Sequence, residues 1–216
     1  MDRREALKKI GLSFGILIGA PTAVSVLQGC GRGNTGFSNP HFFNQPEAEV
    51  ITKIVDIILP PTKDTPGASD VGVPQFIDQY LEEVVPLDER ARTKEYLNNF
   101  IEQIQRETGK QKVSEFTKSD IEPFVAKSLN KSQAEEDAIY EQIDNYVQAK
   151  QNGDDPELIE EVAAFALLTN LRSMAIWSYK TSQKIGEKVL AYDPVPGRQQ
   201  GCVNLQDETG GKAWSL

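Results

Sequence analysis

Apolar residues recur three or four positions apart along most of the chain, the spacing that places them on one face of a helix. The pattern covers six segments, approximately residues 46–59, 74–84, 88–107, 119–129, 133–152 and 156–180. No alternating run of β-branched residues is long enough to predict a strand. The sequence therefore predicts an all-α fold, an irregular single-domain helical bundle over residues 47–190.

Prolines and capping residues place the ends of these helices. Pro123 has no amide hydrogen to donate, so we place it in the first turn of the fourth helix. That helix then begins at Ser119 or Asp120. Ser132 and Glu135 have the spacing of a capping box, which predicts the start of the fifth helix.

The sixth predicted helix is apolar on nearly every face. Asp155 is expected to cap it, and Pro156 is expected to take its first position. The run from Val162 to Leu171 is almost entirely apolar, as in a helix surrounded by other helices. Because Arg172 follows too soon for a membrane span, we predict a central helix of the bundle near residues 156–180.

The first thirty residues have the layout of a bacterial signal peptide, with a basic start, an apolar stretch over Ile10–Leu27 and a small residue before Cys30. Arg3 and Arg4 resemble the pair of a twin-arginine export signal, whose translocase carries folded proteins. A Sec signal that begins with two arginines is the alternative. Pro21 and the short apolar stretch argue against a permanent transmembrane helix.

The segment Leu27-Gln-Gly-Cys30 resembles a lipobox, which predicts that Cys30 is the mature N-terminus and carries acyl chains. A secreted protein cleaved nearby is the alternative. We expect a periplasmic protein, lipid-anchored to a bacterial membrane. Residues 31–46 are predicted to form a flexible tether, and residues 191–216 are predicted to form a turn-rich C-terminal tail.

Charge narrows the range of partners. The chain has a net charge of −9, and the residues after position 30 include 19 basic against 30 acidic side chains. An acidic surface repels phosphate groups, so we expect no nucleic-acid binding and no electrostatic attraction to anionic lipid. Membrane contact is therefore assigned to the lipid on Cys30.

Few side chains are suited to catalysis or metal binding. His41 is the only histidine and lies in the predicted tether, which argues against a histidine metal site or a Ser-His-Asp triad. No haem, iron–sulfur or phosphate-loop motif is present, so we expect no cofactor in this chain. Cys202 is either a buried thiol or a residue that bonds a partner's cysteine. Trp177, Tyr179 and Met174 form either a partner-facing patch or part of the core.

Two segments, Ile57–Asp78 and Tyr192–Val203, resemble the gluconate 2-dehydrogenase subunit 3 family. The first contains Leu-Pro-x-Thr-x-x-Thr-Pro-Gly-Ala, and the second contains Asp-Pro-x-Pro-Gly. The order of twin-arginine leader, loop, helices and tail is similar to that of the family. The resemblance extends from about Glu47 to Leu205.

The resemblance implies a non-catalytic small subunit of a periplasmic, membrane-bound dehydrogenase of the glucose–methanol–choline type. Its partners would be a large subunit that holds FAD and, often, a cytochrome c subunit that holds haem. The small subunit would aid maturation and twin-arginine export of the large one. We expect partner contacts at Thr62, Thr65, Pro66, Gly67, Tyr192, Pro194, Pro196, Gly197 and Cys202.

Two other hypotheses belong to different functional classes. The first is a free-standing periplasmic lipoprotein that binds a small ligand in its helical bundle and copurifies with no flavoprotein. The second is a dehydrogenase in its own right. It is the weakest, because the G-x-G-x-x-G match at Gly31–Gly36 has no predicted strand before it and is followed by Asn39-Pro40, so it does not predict a dinucleotide site.

Overall fold

The computed structural model describes residues 37, 39–195, 197 and 201–215. The predictions for Arg3, Arg4, Cys30 and Pro196 lie outside these residues. The described residues form α-helices joined by turns and contain no strand, which confirms the all-α prediction. The helices are α1 (Gln45–Ile58), α2 (Val73–Glu83), α3 (Leu87–Thr108), α4 (Lys118–Leu129), α5 (Gln133–Gln151), α6 (Glu160–Thr181), α7 (Gln183–Lys188) and α8 (Leu205–Thr209).

Helix α6 contacts every helix from α1 to α5 and also α7. Each position of its run Val162–Leu168 is buried. Its predicted start is wrong, because the helix begins at Glu160 and not near Pro156. Asp155 caps nothing there, since its carboxylate pairs with Lys150 of α5 at 2.9 Å.

The predicted position of Pro123 in a first turn is also wrong. Helix α4 begins at Lys118, after a capping box formed by Thr117 and Asp120, and Pro123 lies inside the helix. The missing amide leaves the carbonyl of Ser119 without its usual helical donor. Both residues are exposed, so the carbonyl of Ser119 is open to solvent, and the helix continues through the proline.

The last part of the predicted tether is held on the helical domain. The backbone amides of His41, Phe42 and Phe43 donate to the buried carboxylate of Asp78 on α2, at 2.7, 3.0 and 2.9 Å. These hydrogen bonds offset the cost of burying a charge. Lys94 of α3 lies over the rings of Phe42 and Phe43, 4.7 and 5.3 Å from their centroids. Here the structure differs from a flexible tether, because one carboxylate binds three consecutive amides.

The C-terminal segment contains α8 and returns to residue Ala191 after it. Ala191 and Trp214 form an isolated parallel bridge. Its hydrogen bonds run from the amide of Ala191 to the carbonyl of Ala213, at 2.9 Å, and from the amide of Ser215 to the carbonyl of Ala191, at 2.8 Å. Across the described residues, no helix is both long and apolar enough to cross a membrane.

Candidate partner-binding site

The segment Thr62–Gly72, here called the proline loop, connects α1 to α2 and is closed by its own hydrogen bonds. The amide of Thr62 donates to the carbonyl of Thr65 at 2.9 Å, and their two hydroxyl oxygens lie 2.8 Å apart. The amide of Gly67 donates to the carboxylate of Asp70 at 2.8 Å. Three of the predicted partner residues therefore lie in a fixed turn.

Gly67 allows the proline loop to pack directly against the end of α1. A Cβ atom at this position would lie 2.8 Å from Cδ of Pro61 and 2.9 Å from its backbone nitrogen, closer than Cβ atoms approach their neighbours. The amide of Ala68 donates to the carbonyl of Leu59 at 2.9 Å, across the same close approach. Glycine is therefore required here by the space available.

Side chains from three helices hold the proline loop in place. The hydroxyl of Tyr179 on α6 donates to the carbonyl of Pro66 at 2.6 Å. Asp56 of α1 accepts hydrogen bonds from the amide and the hydroxyl of Ser69, at 3.1 and 2.6 Å. Lys118 of α4 forms an ion pair with Asp56 at 3.0 Å. The loop is part of the rigid body of the domain.

An aromatic cluster lies where α2 meets α6. The rings of Phe76 and Tyr80 are stacked with centroids 5.8 Å apart, and Trp177 meets them edge-on at 5.1 and 5.6 Å. Trp177 is 46% exposed. Met174 and Tyr179 are half-buried and pack against the core. Of the two interpretations of these α6 residues, the partner-facing patch fits Trp177 and the core fits the other two.

A pocket of about 220 Å³ opens between α2, α3 and α6, next to this cluster. Leu81, Leu167 and Leu171 form its apolar floor, and Tyr80 belongs to both the pocket and the cluster. Tyr96 lines the wall, where burial raises the pKa of its phenol above the ordinary value. The ring is therefore neutral at physiological pH and serves as a hydrophobic surface.

The second predicted partner segment, Tyr192–Val203, has a different character. Tyr192, Pro194, Gly197 and Cys202 are exposed, and no hydrogen bond between two described residues involves this segment. The thiol of Cys202 is free and exposed, on a backbone with φ 53°, so it is not the buried thiol that the sequence allowed. Among the described residues, no hydrogen bond joins this segment to the proline loop.

A family model described as gluconate 2-dehydrogenase subunit 3 matches residues 45–197, more than half of the chain. The chain belongs to this family. The matched part of subunit 3 includes the whole proline loop and the beginning of the Tyr192–Val203 segment, and it ends before Cys202. No curated protein and no solved structure matches the chain.

Membership of this family indicates that the chain is one subunit of a larger complex. A third subunit of a gluconate dehydrogenase belongs to a complex, which implies a larger catalytic partner. Within the described part of the chain, no three potential metal-ligating side chains come together. The proline loop and the aromatic cluster are well-defined features of the described surface.

Sequence reasoning missed Asp78 and the pocket. Asp78 occupies the buried stripe of α2, beside Ile77 and Leu81. A carboxylate in a core-facing position is itself a signal, because a buried charge requires partners. The identity of those partners, three backbone amides more than thirty residues earlier, had no local signal in the sequence.

Proposed function

We propose that this chain is the accessory small subunit of a periplasmic, FAD-dependent dehydrogenase of the glucose–methanol–choline type. The chain itself is non-catalytic in this proposal, and FAD, with haem c where a cytochrome subunit is present, belongs to its partners. The observation that carries the proposal is the family match over residues 45–197.

The proline loop is proposed as a preformed contact for the catalytic subunit. Thr62 is exposed at its surface, and Thr65 and Pro66 are half-buried. Hydrogen bonds within the loop and from Tyr179 order its backbone. A surface that is already ordered loses little conformational entropy when it binds. The Tyr192–Val203 segment is proposed as a second contact, because its described residues Tyr192, Pro194 and Cys202 are exposed.

Export and anchoring are assigned to the leader. Arg3 and Arg4 direct the chain, with the folded catalytic subunit bound, to the twin-arginine translocase. The lipid on Cys30 then holds the complex at the membrane. The hydrogen bonds from the amides of residues 41–43 to Asp78 support this proposal, because they hold the backbone of these residues on the helical domain.

Cell fractionation tests the escort role. Arg3→Lys combined with Arg4→Lys is expected to leave both this chain and its flavoprotein in the cytoplasm, because the translocase requires the arginine pair. Cys30→Ser is the matched control, since it is expected to allow export and to release both proteins into the soluble periplasmic fraction. Normal export of the flavoprotein beside the double-lysine variant contradicts the escort role.

A further inference from the structure

The pocket between α2, α3 and α6 has the size of one amino-acid side chain. Its volume is about 220 Å³, whereas pockets for cofactors and drug-sized ligands occupy roughly 300–1,000 Å³. Its floor is apolar and its wall carries the rings of Tyr80 and Tyr96. A long side chain with an apolar stem therefore fits the pocket better than a flavin or a sugar does.

The polar groups of the pocket are mainly hydrogen-bond acceptors. The hydroxyl of Thr93 donates to the carbonyl of Glu89 at 2.9 Å, and the hydroxyl of Ser173 donates to the carbonyl of Thr169 at 3.0 Å. Each hydroxyl has thereby used its only hydrogen and retains lone pairs to accept another hydrogen bond. Asn170 adds an exposed amide with no hydrogen bond to any described residue.

Glu89 supplies a negative charge that no described residue neutralises. The carboxylates around it are paired, since Asp88 binds Arg92 at 2.9 Å and Glu82 binds Arg90 at 3.2 Å. No ion pair to Glu89 is present among the described residues, although its side chain lines the pocket. The pocket therefore combines aromatic rings, acceptors and a carboxylate that forms no ion pair with a described residue, which together suit a cationic donor.

We propose that this pocket receives an arginine side chain of the catalytic subunit, with the guanidinium group at Glu89 and the stem against Tyr80 and Met174. The inference rests on the proposed function, because it deepens the docking of that same partner. Arginine matches the site better than lysine, since its planar guanidinium binds a carboxylate through two parallel hydrogen bonds. The exposed ring of Trp177, edge-on to Tyr80, extends the contact beyond the pocket.

Affinity of the two-subunit complex tests the proposal. The full chain and its catalytic subunit are purified together in mild detergent, and their dissociation constant is measured for the wild type, Glu89→Gln and Glu83→Gln. Removing one member of a buried charge pair is expected to weaken the complex at least about tenfold in the Glu89→Gln variant. Glu83 is exposed, lies outside the pocket and undergoes the same change of charge, so its variant is expected to bind as the wild type does.

A competition experiment identifies the chemistry of the occupant. Nα-acetyl-arginine amide added to the wild-type complex is expected to promote dissociation more strongly than Nα-acetyl-norleucine amide, which has a similar stem without the charge. The Glu89→Gln complex is expected to lose this difference. If both amides act equally on the wild type, the arginine assignment is wrong.

The outcomes separate this inference from the proposed function. A wild-type chain that binds no flavoprotein overturns the proposed function itself. If the wild-type complex forms and the Glu89→Gln complex has the same dissociation constant, only the proposed role of the pocket is wrong. Because Glu89 is exposed and makes no side-chain hydrogen bond to the described residues, its variant is expected to keep the wild-type unfolding midpoint, and this is measured in parallel.

Discussion

The two segments predicted to bind the partner both contain proline and glycine, but they differ in their hydrogen bonds. The proline loop is fixed by internal hydrogen bonds, by the close packing of Gly67 on Pro61 and by the hydroxyl of Tyr179. The described residues of the Tyr192–Val203 segment are exposed, and Ala191, just before them, forms a bridge with Trp214. Among the described residues, internal hydrogen bonds are found in the proline loop and not in the Tyr192–Val203 segment.

The difference shows that prolines alone do not make a loop rigid. A proline fixes its own φ angle, but the remaining backbone is ordered by the groups that receive its hydrogen bonds. For the proline loop, Asp56 of α1 accepts such a hydrogen bond from the amide of Ser69, and the hydroxyl of Tyr179 on α6 donates to the carbonyl of Pro66. Substitutions in the proline loop should therefore lower the stability of the isolated domain. Matched substitutions in the Tyr192–Val203 segment should leave it unchanged.

The largest effect is expected for a methyl group added to the loop glycine. Gly67→Ala should lower the free energy of unfolding by about 1–3 kcal/mol, because its Cβ would overlap the backbone of Pro61. Gly197→Ala is the matched control, since nothing lies within 4 Å of the added atom, and its effect should stay within about 0.5 kcal/mol. Urea unfolding of the purified chain measures both, and equal values would remove the distinction between the segments.

A smaller effect is expected when the bond from α6 to the loop is removed. Tyr179→Phe deletes the hydroxyl that donates to Pro66 and should cost about 1 kcal/mol in unfolding free energy. Tyr192→Phe removes the hydroxyl of an exposed ring in the tail and should leave the unfolding midpoint unchanged. A Tyr179→Phe variant as stable as the wild type would mean that the loop does not depend on this bond.

The smallest effect is expected at the exposed turn of the loop. Thr62→Val removes the hydroxyl oxygen that accepts from the amides of Asp64 and Thr65, at 3.2 and 3.0 Å. Water reaches these amides, so the loss should be about 0.5 kcal/mol. The Thr62→Val variant should also show faster hydrogen exchange at the Thr65 amide. Cys202→Ser in the tail is the control, and it should change neither the stability nor the exchange in the loop. Unchanged exchange at Thr65 would contradict the role of the Thr62 hydroxyl.

The sequence predicted those parts of the fold that depend on local signals. Apolar spacing located the helices, and the capping box of Ser132 and Glu135 lies where it was expected, at the start of α5. Pro123 was misplaced because an exposed proline inside a helix costs less than the local rule assumes when the carbonyl left without a donor is open to solvent. Asp155 was misassigned because it pairs with a lysine of the preceding helix.

The candidate site was predictable only in part, because its geometry comes from contacts between distant segments. The composition of the proline loop identified Thr62 to Gly67 as a turn, but the anchor from Tyr179 is 113 positions away. Glu89 likewise has no ion pair among the described residues, whereas Arg90 pairs with Glu82 and Arg92 pairs with Asp88. These pairings are determined by packing and leave no local sequence pattern.

Copurification is the most direct test that the chain is the accessory subunit of a flavoprotein. Membranes from cells that carry the tagged full chain are solubilised in mild detergent, and the purified material is analysed by mass spectrometry and visible absorption. A larger protein is expected to copurify with the tagged chain in stoichiometric amount and to show flavin absorbance. A lone colourless chain would contradict the accessory-subunit role and favour a free-standing ligand-binding lipoprotein, and flavin absorbance without a second polypeptide would contradict the assignment of FAD to a partner.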